Sequence, residues 1–320
     1  MVKERVVAFI VARLSSSRLP NKHLKAIGDR RMIDWTVHFI KQVKYLDDIV
    51  IATVDEEDNR PLIDVAKKHG IKLFWYKGEV NDVVGRLTKA AVEFEADIPV
   101  LVSGDCPLIW PDAVTKRIEK ILKDKELDYI GFCEKDGRYP IHSSVGVYRR
   151  KCWELADKLS DKPNLREHHF PIVGLRGDLF KIDCIECEDI FYKVNHRISV
   201  DTIADLEFMN AVYDELKAGS REFNLKNVVE LLIEKPQLMD INRDVHQIRI
   251  DEVPKKALFL IEKEESLEIF VHLAYELTKK GVGVKFFSHN PELLKAVEER
   301  GFGILENIDR YRCDFKITDT

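Results

Sequence analysis

Val6-Val7-Ala8-Phe9-Ile10-Val11, followed at once by Ala12-Arg13-Leu14-Ser15-Ser16-Ser17-Arg18-Leu19-Pro20-Asn21-Lys22, is the stretch that decides the fold. Six apolar residues without polar alternation read as a short strand covered on both faces, as in a parallel sheet. The chain then opens into three hydroxyls and three fixed cations, Arg13, Arg18 and Lys22. In an open α/β sheet, ligands sit at the carboxyl ends of strands. This loop is therefore placed to hold a polyanion, a nucleoside triphosphate above all. Arginine brings forked hydrogen bonds and lysine a point charge, while Ser15, Ser16 and Ser17 add donors. The plain alternative is a solvated basic loop. The glycines of a Walker A loop are missing, so phosphate would be held by side chains.

Working outward, strand and helix patterns alternate. A helix is predicted over Met32–Val43 and a strand over Ile49–Thr53. A helix ending at Gly70, a strand over Lys72–Trp75, a helix over Asp82–Glu95 and a strand over Pro99–Val102 follow. Pro111 opens a helix at its favoured first-turn position, and Asp128–Phe132 reads as a strand. Strands are also expected over Ser144–Arg149 and Leu179–Ile185, with a helical stretch around Asn164–Val173 between them. Thr202 and Asp205 form a capping box, with Asp in place of Glu, for a helix whose face is Leu206, Met209, Tyr213 and Leu216. A second helix covers roughly Leu225–Glu234. The pattern resets near Gln247–Lys256 and repeats strand and helix to Asp314–Asp319. The predicted organisation is an α/β chain with a mainly parallel sheet and helices on both faces over 1–246, plus a small α/β unit over 254–320.

The net charge of −5 over 320 residues excludes a general nucleic-acid or anionic-membrane binder, so the basic loop is a local cluster. No apolar run is long enough to cross a bilayer, and Met1-Val2-Lys3-Glu4-Arg5 carries no signal peptide pattern. The six cysteines are scattered and read as reduced thiols of a cytoplasmic protein. Cys184-x-x-Cys187 is half a zinc site without a second half.

Three further segments carry chemistry. In Val102-Ser103-Gly104-Asp105-Cys106-Pro107 a strand gives way to a glycine and an acid. Asp105 lands at the same sheet edge as the phosphate loop. A carboxylate beside a triphosphate needs a cation between them, and Mg²⁺ bridges carboxylates and phosphate oxygens in such places; a turn cap is the plain alternative. In Ser199-Val200-Asp201-Thr202, Asp201 is expected to leave a strand and to supply a second carboxylate to that metal, or merely to face a helix N-terminus. Asn81-Asp82-Val83-Val84-Gly85-Arg86 is, by itself, a helix start. His168-His169, His142 and His196 face either substrate or solvent. Cys106 has no histidine placed to activate it.

In this order and spacing, these segments resemble the cytidylyltransferase family that makes CMP-activated sugars, and most of all its spore coat polysaccharide branch. The A-R-x-x-S-x-R-L-P-x-K loop is matched by Ala12 through Lys22, G-D-C-P-L-I-x-P by Gly104 through Pro111, and D-V-x-x-R by Asp82, Val83 and Arg86. D-T-x-x-D-L-E is matched within Val200 through Glu207, and R-E-H by Arg166-Glu167-His168. The likeness spans roughly residues 4–245. It implies a Rossmann-like nucleotidyltransferase fold and Mg²⁺-dependent transfer of CMP from CTP to a sugar or sugar acid, with release of pyrophosphate. It implies nucleotide contacts from Ala12, Arg13, Ser16, Ser17, Arg18, Lys22, Asp82, Arg86, Gly104 and Asp105. Arg13, Arg18 and Lys22 would stabilise the leaving pyrophosphate, and Asp105 and Asp201 would hold the metal. Acceptor contacts are expected from Tyr139, His142, Ser144, Arg166, Glu167 and His168, and the chain is expected to form a homodimer. One departure concerns the acceptor: where relatives carry F-P-x-G-x-D-V-E-V, Ser144 and Gly146 replace the two acids.

The segment around Leu273–Phe286, with Asp314–Asp319, faintly resembles the first half of a two-domain glycosyltransferase or hydrolase. It is expected to act as an interaction appendage. Two other readings compete. A glycosyltransferase would want a D-x-D motif, and Asp105-x-Pro107 stands instead. A scaffold that kept the fold would show a damaged phosphate loop or a lost aspartate, and both are intact.

Overall fold

In the computed structural model, which describes residues 3–141, 145–247, 252, 255–308 and 311–319, Val6–Val11 is the strand β1 inside the larger of two principal sheets. The chain continues through a short hairpin of β2 (Ala26–Ile27) and β3 (Arg30–Arg31), helix α1 (Met32–Ile40), β4 (Asp48–Val54), α2 (Leu62–His69), β5 (Lys72–Tyr76), α3 (Val83–Glu93) and β6 (Ile98–Ser103). Then come α4 (Pro111–Lys123), β7 (Tyr129–Phe132), β8 (Val145–Tyr148), α5 (Arg150–Leu159), α6 (Pro163–Glu167), α7 (Pro171–Leu175), β9 (Ile182–Ile185), α8 (Ile203–Ala218) and α9 (Leu225–Glu234). Seven strands lie in the order β5-β4-β1-β6-β8-β7-β9. All neighbours are parallel except β8, which runs antiparallel to both β6 and β7.

The unbroken apolar run of β1 has its reason in the layers. Val6, Ala8 and Ile10 pack with Val37, Ile118, Phe208 and Val228 on one face. Val7 and Phe9 pack with Leu87, Ala90 and Trp153 on the other. Both faces are thus removed from water, each buried Val, Ile, Leu or Phe side chain contributing about 1.5–3 kcal/mol. The fold is the Rossmann-like mixed sheet expected from the sequence.

Some boundaries moved. α1 ends at Ile40, three residues before the expected Val43, because Gln42 and Val43 bond back only three residues, to Phe39 and Ile40, and tighten the last turn. The expected helical stretch Asn164–Val173 is two five-residue helices. Phe170, at φ 52°, breaks it, and Pro171 can only start a helix, not continue one. Asp201 does not leave a strand: the residues just before α8 belong to no strand. The expected capping box is present in both halves, Thr202 accepting from the Asp205 N–H and Asp205 accepting from the Thr202 N–H.

The cysteine expectation is overturned. Cys133 and Cys184 form a disulfide with Cα atoms 5.0 Å apart. Cys184 lies on β9, and Cys133 follows β7 and donates its N–H to Ile185, so strand pairing alone brings the two sulfurs together. Cys184 is thereby also removed from any half zinc site with Cys187.

A second sheet follows, of β10 (Lys256–Leu260), β11 (Gly283–Phe287), β12 (Gly303–Ile304) and β13 (Phe315–Thr318), all parallel in the order β12-β11-β10-β13. Helices α10 (Leu267–Lys279) and α11 (Pro291–Glu299) accompany it, and Phe259, Phe270, Phe286 and Val297 are in its own core. This unit touches the loop after β1 directly, and helix α8 as well. The Val284 N–H donates to the Ser17 carbonyl at 3.1 Å, and the Tyr275 hydroxyl donates to Glu207 at 2.7 Å.

Candidate active site

The carboxyl ends of β1 and β6 open into a cleft of about 370 Å³. The loop after β1 is folded on itself. Asn59, fully buried, accepts from the Leu14 N–H at 2.8 Å, and Asn21 donates to the Leu14 carbonyl at 3.0 Å. The Ser16 hydroxyl accepts from the Leu19 N–H. These bonds hold Arg13, Ser16, Ser17, Arg18 and Lys22 along one wall of the cleft. Arg13 rests on Asn81 Oδ1 at 2.8 Å.

Asp105 follows β6. The Val200 N–H donates to the Asp105 carbonyl at 2.9 Å, which ties the segment before α8 to the end of β6. Asp201 therefore arrives opposite Asp105 although 96 residues separate them. Between the two lies the Lys22 ammonium, 3.0 Å from Asp105 Oδ2 and 2.8 Å from Asp201 Oδ1. Arg18 is 3.1 Å from the same Asp201 oxygen. Ser103 donates to Asp105 Oδ1 at 2.6 Å. Burial works against the Lys22 charge, yet Asp105 and Asp201 hold its pKa above the ordinary value. Burial also opposes the Asp201 carboxylate, but Lys22, Arg18 and Arg197 keep its pKa far below the usual range. Asp105 is likewise lowered, with Lys22 outweighing burial.

Hard oxygen donors on two elements, converging on one cation, suit a hard divalent ion that takes its other ligands from phosphate and water. Among the described residues no group of three or more His, Cys, Asp or Glu side chains offers a complete metal cage. The residues present fit a bridging ion and not a closed structural one.

Arg86 is the second unusual group. It is only 1 % exposed, donates from Nη2 to the Val80 carbonyl at 3.2 Å, and leaves Nε and Nη1 without a hydrogen-bond partner. Burial, with Arg13 nearby, pulls its pKa down to about 10. A buried, half-satisfied guanidinium at a cleft wall is suited to receive an anion, because a charge removed from water is costly until it is paired.

Not every predicted site residue reaches the cleft wall. Glu167 and His168 line it. Asp82 instead caps α3, accepting from the Gly85 N–H at 2.9 Å, and also accepts from the Tyr76 hydroxyl at 2.6 Å and from Arg166 Nε at 2.8 Å. Asp82 and Arg166 thus sit behind the wall, fixing α3 and α6 against each other. Ala12 is buried and Gly104 brings two backbones close. Tyr139 is 62 % exposed and lines a neighbouring cavity with Arg138 and Arg197. His142 and Ser144 lie outside the described residues.

The sequence reading missed two groups, Arg197 and His23, and left a third, His169, open between substrate and solvent. Arg197 Nη2 donates to Asp201 Oδ2 at 2.8 Å, and its Nε lies 2.9 Å from Asp205. It stands four residues before Asp201 in a segment that is not helical, so the spacing by itself carries no ion-pair signal. His169 faces the cleft, and burial brings its pKa to about 4. His23 sits under the site with Nδ1 3.0 Å from the Gly104 carbonyl; burial, then Lys22, lowers its pKa to about 4. The unfolded chain binds a proton at this histidine near pH 6.5, so the unfolded state holds more protons between about pH 6.5 and 4. Stability should therefore fall as pH drops through that window, His23 alone contributing roughly 3 kcal/mol when fully developed. His23→Asn, which keeps a donor near the Nδ1 position, should remove that share. Urea unfolding at pH 7 and pH 4.5 measures it; equal slopes for the two proteins would refute the assignment.

Comparison with known proteins meets this geometry. The cytidylyltransferase family model matches residues 7–218. An uncharacterised protein of Methanocaldococcus jannaschii is 29 % identical over 251 residues, covering 78 % of this chain and 99 % of that one. The spore coat polysaccharide biosynthesis protein SpsF of Bacillus subtilis is 26 % identical over 245 residues, covering 72 % and 95 %. Among solved structures, a cytidylyltransferase of Leptospira borgpetersenii superposes with a TM-score of 0.66 at 24 % identity over 77 % of this chain and all of that one. At that identity the superposition speaks for the fold alone. The family match covers well over half of the sequence, including the loop after β1, Asp105 and Asp201, and the chain belongs to the cytidylyltransferase family.

Proposed function

We propose that this protein transfers CMP from CTP to a hydroxyl of a sugar or sugar acid, for surface polysaccharide or glycoconjugate synthesis. The observation that carries the reading is the juxtaposition of the cationic loop Arg13–Lys22 with the carboxylate pair Asp105 and Asp201 at one sheet edge. The acceptor oxygen attacks the α-phosphorus, the bond to the bridging oxygen of the β-phosphate breaks, and pyrophosphate leaves with that electron pair. The acceptor proton passes to solvent or a basic group. Arg13, Arg18 and Lys22 neutralise the charge that grows on the leaving pyrophosphate. Asp105 and Asp201 are assigned to hold Mg²⁺, which when bound neutralises and orients the phosphate oxygens. His169, with its pKa about 4, is neutral at pH 7; it can accept a hydrogen bond from the acceptor but cannot retain its proton. The cytoplasm, where CTP is available, is the proposed compartment; the Cys133–Cys184 bond runs against a reducing one.

Support comes from the family membership and from SpsF, whose name places it in spore coat polysaccharide synthesis. A 3-deoxy-manno-octulosonate cytidylyltransferase of Koribacter versatilis is 31 % identical over 121 residues, 38 % of this chain and 44 % of that one. The replacement of two acids by Ser144 and Gly146 points to an acceptor different from that of the spore coat branch.

Calorimetric titration with CTP, UTP, ATP and GTP, with and without Mg²⁺, tests the reading. Selective CTP binding supports it; binding of no nucleotide favours a non-catalytic scaffold. Arg86→Met should weaken CTP binding about 10–100-fold, the worth of hydrogen bonds to a charged partner. It should leave the melting temperature unchanged or higher, because an unsatisfied buried charge is removed. Unchanged CTP affinity would exclude Arg86 from the nucleotide site.

A further inference from the structure

Lys22 lies where a cation shared by Asp105 and Asp201 would lie. Every carboxylate oxygen of the pair is already engaged. Asp105 Oδ1 takes the Ser103 hydroxyl and Oδ2 the Lys22 ammonium. Asp201 Oδ1 takes Lys22 and Arg18, and Oδ2 takes Arg197. A divalent ion approaching from solvent therefore meets three fixed positive charges and no free oxygen. The Lys22 side chain is 10 % exposed, so it does not leave these partners for water at low cost. It leaves them readily only for another anion, and a triphosphate in the same cleft is such an anion.

We propose that Lys22 is a placeholder: it occupies the divalent-cation seat between Asp105 and Asp201 until a triphosphate draws it away. The nucleotide-free protein then binds free divalent cation weakly, and the metal enters with the triphosphate or after it. The inference rests on the assignment of Asp105 and Asp201 given under the proposed function. It gives Lys22 two successive partners, carboxylates first and phosphate second, and it makes the order of loading a property of one side chain.

The test is direct binding of Mn²⁺ to nucleotide-free protein, read from the paramagnetic resonance signal of the free ion. The wild type should bind weakly. Lys22→Met, which keeps the aliphatic stem and removes the charge, should bind one Mn²⁺ about tenfold more tightly or better, given the strength of a unit charge at about 3 Å. Adding Asp201→Asn to Lys22→Met should abolish the gain, which ties it to this seat. Lys22→Gln, which retains a hydrogen-bond donor for the carboxylates, should move in the same direction and serves if the methionine variant folds poorly. Tight Mn²⁺ binding by the nucleotide-free wild type, or no gain in well-folded Lys22 variants, overturns the placeholder role. A separate CTP titration judges the functional reading: a protein that binds no CTP loses that reading, while the Mn²⁺ comparison still decides what Lys22 does.

Discussion

Asp201→Asn is expected to lose about 10³-fold or more in turnover, ~4 kcal/mol of transition-state stabilisation, while binding CTP at least as tightly as the wild type. The asparagine keeps the shape and one acceptor oxygen, so Lys22, Arg18 and Arg197 keep a neighbour of the right size. What disappears is the negative charge. The ground-state triphosphate does not need that charge and is repelled by it, so affinity holds or rises. Turnover needs it, because it anchors the cation assigned to the reacting phosphates and sets the positions of Lys22 and Arg18. Asp105→Asn should move the same way. Pyrophosphate release under saturating CTP gives turnover, and calorimetry gives affinity. Full Mg²⁺-dependent turnover in either variant would sink the metal assignment, and a matched fall in affinity and turnover would mean that the carboxylates serve binding.

Gly104→Ala carries the largest expected cost to the fold. A Cβ at this position would lie 2.3 Å from the Val11 carbonyl oxygen and 3.1 Å from His23 Cε1. The nearer atom is backbone, so relief requires the ends of β1 and β6 to separate. That movement breaks the Gly104 N–H bond to Val11 at 3.0 Å and displaces Asp105, the next residue. A loss of about 2–4 kcal/mol is expected from overpacking plus the broken bond, together with weakened CTP binding. Gly70 is the control. It has open space around it but a φ of +59°, so Gly70→Ala should cost about 1–2 kcal/mol through torsion alone and leave CTP binding unchanged. Urea midpoints for the two variants decide the matter; near-wild-type stability of Gly104→Ala would show that the strand ends are free to part.

Much of the site was readable because its parts are local. The cationic loop follows an apolar strand directly, and Asp105 follows another within two residues of its end. Roles that depend on layers were not readable. Asp82 and Arg86 belong to one motif, yet Asp82 is taken up by Tyr76, Gly85 and Arg166 behind the wall, while Arg86 keeps two nitrogens unpartnered at its edge. Which way each points follows from the packing of α3 against α5 and α6, not from the spacing. The disulfide was missed for a similar reason. Cys133 and Cys184 are 51 residues apart in sequence, and only the parallel pairing of β7 with β9 makes them neighbours.

The parallel-rich sheet, the cationic loop after β1 and the family were legible in the sequence, since all three rest on short-range patterns of hydrophobicity, charge and motif spacing. Tertiary structure alone decided that Lys22 stands between Asp105 and Asp201 and that the second sheet presses on Ser17. Each of these is a contact between segments distant along the chain. Their distances are fixed by how strands and helices stack, and no local pattern of residues encodes that.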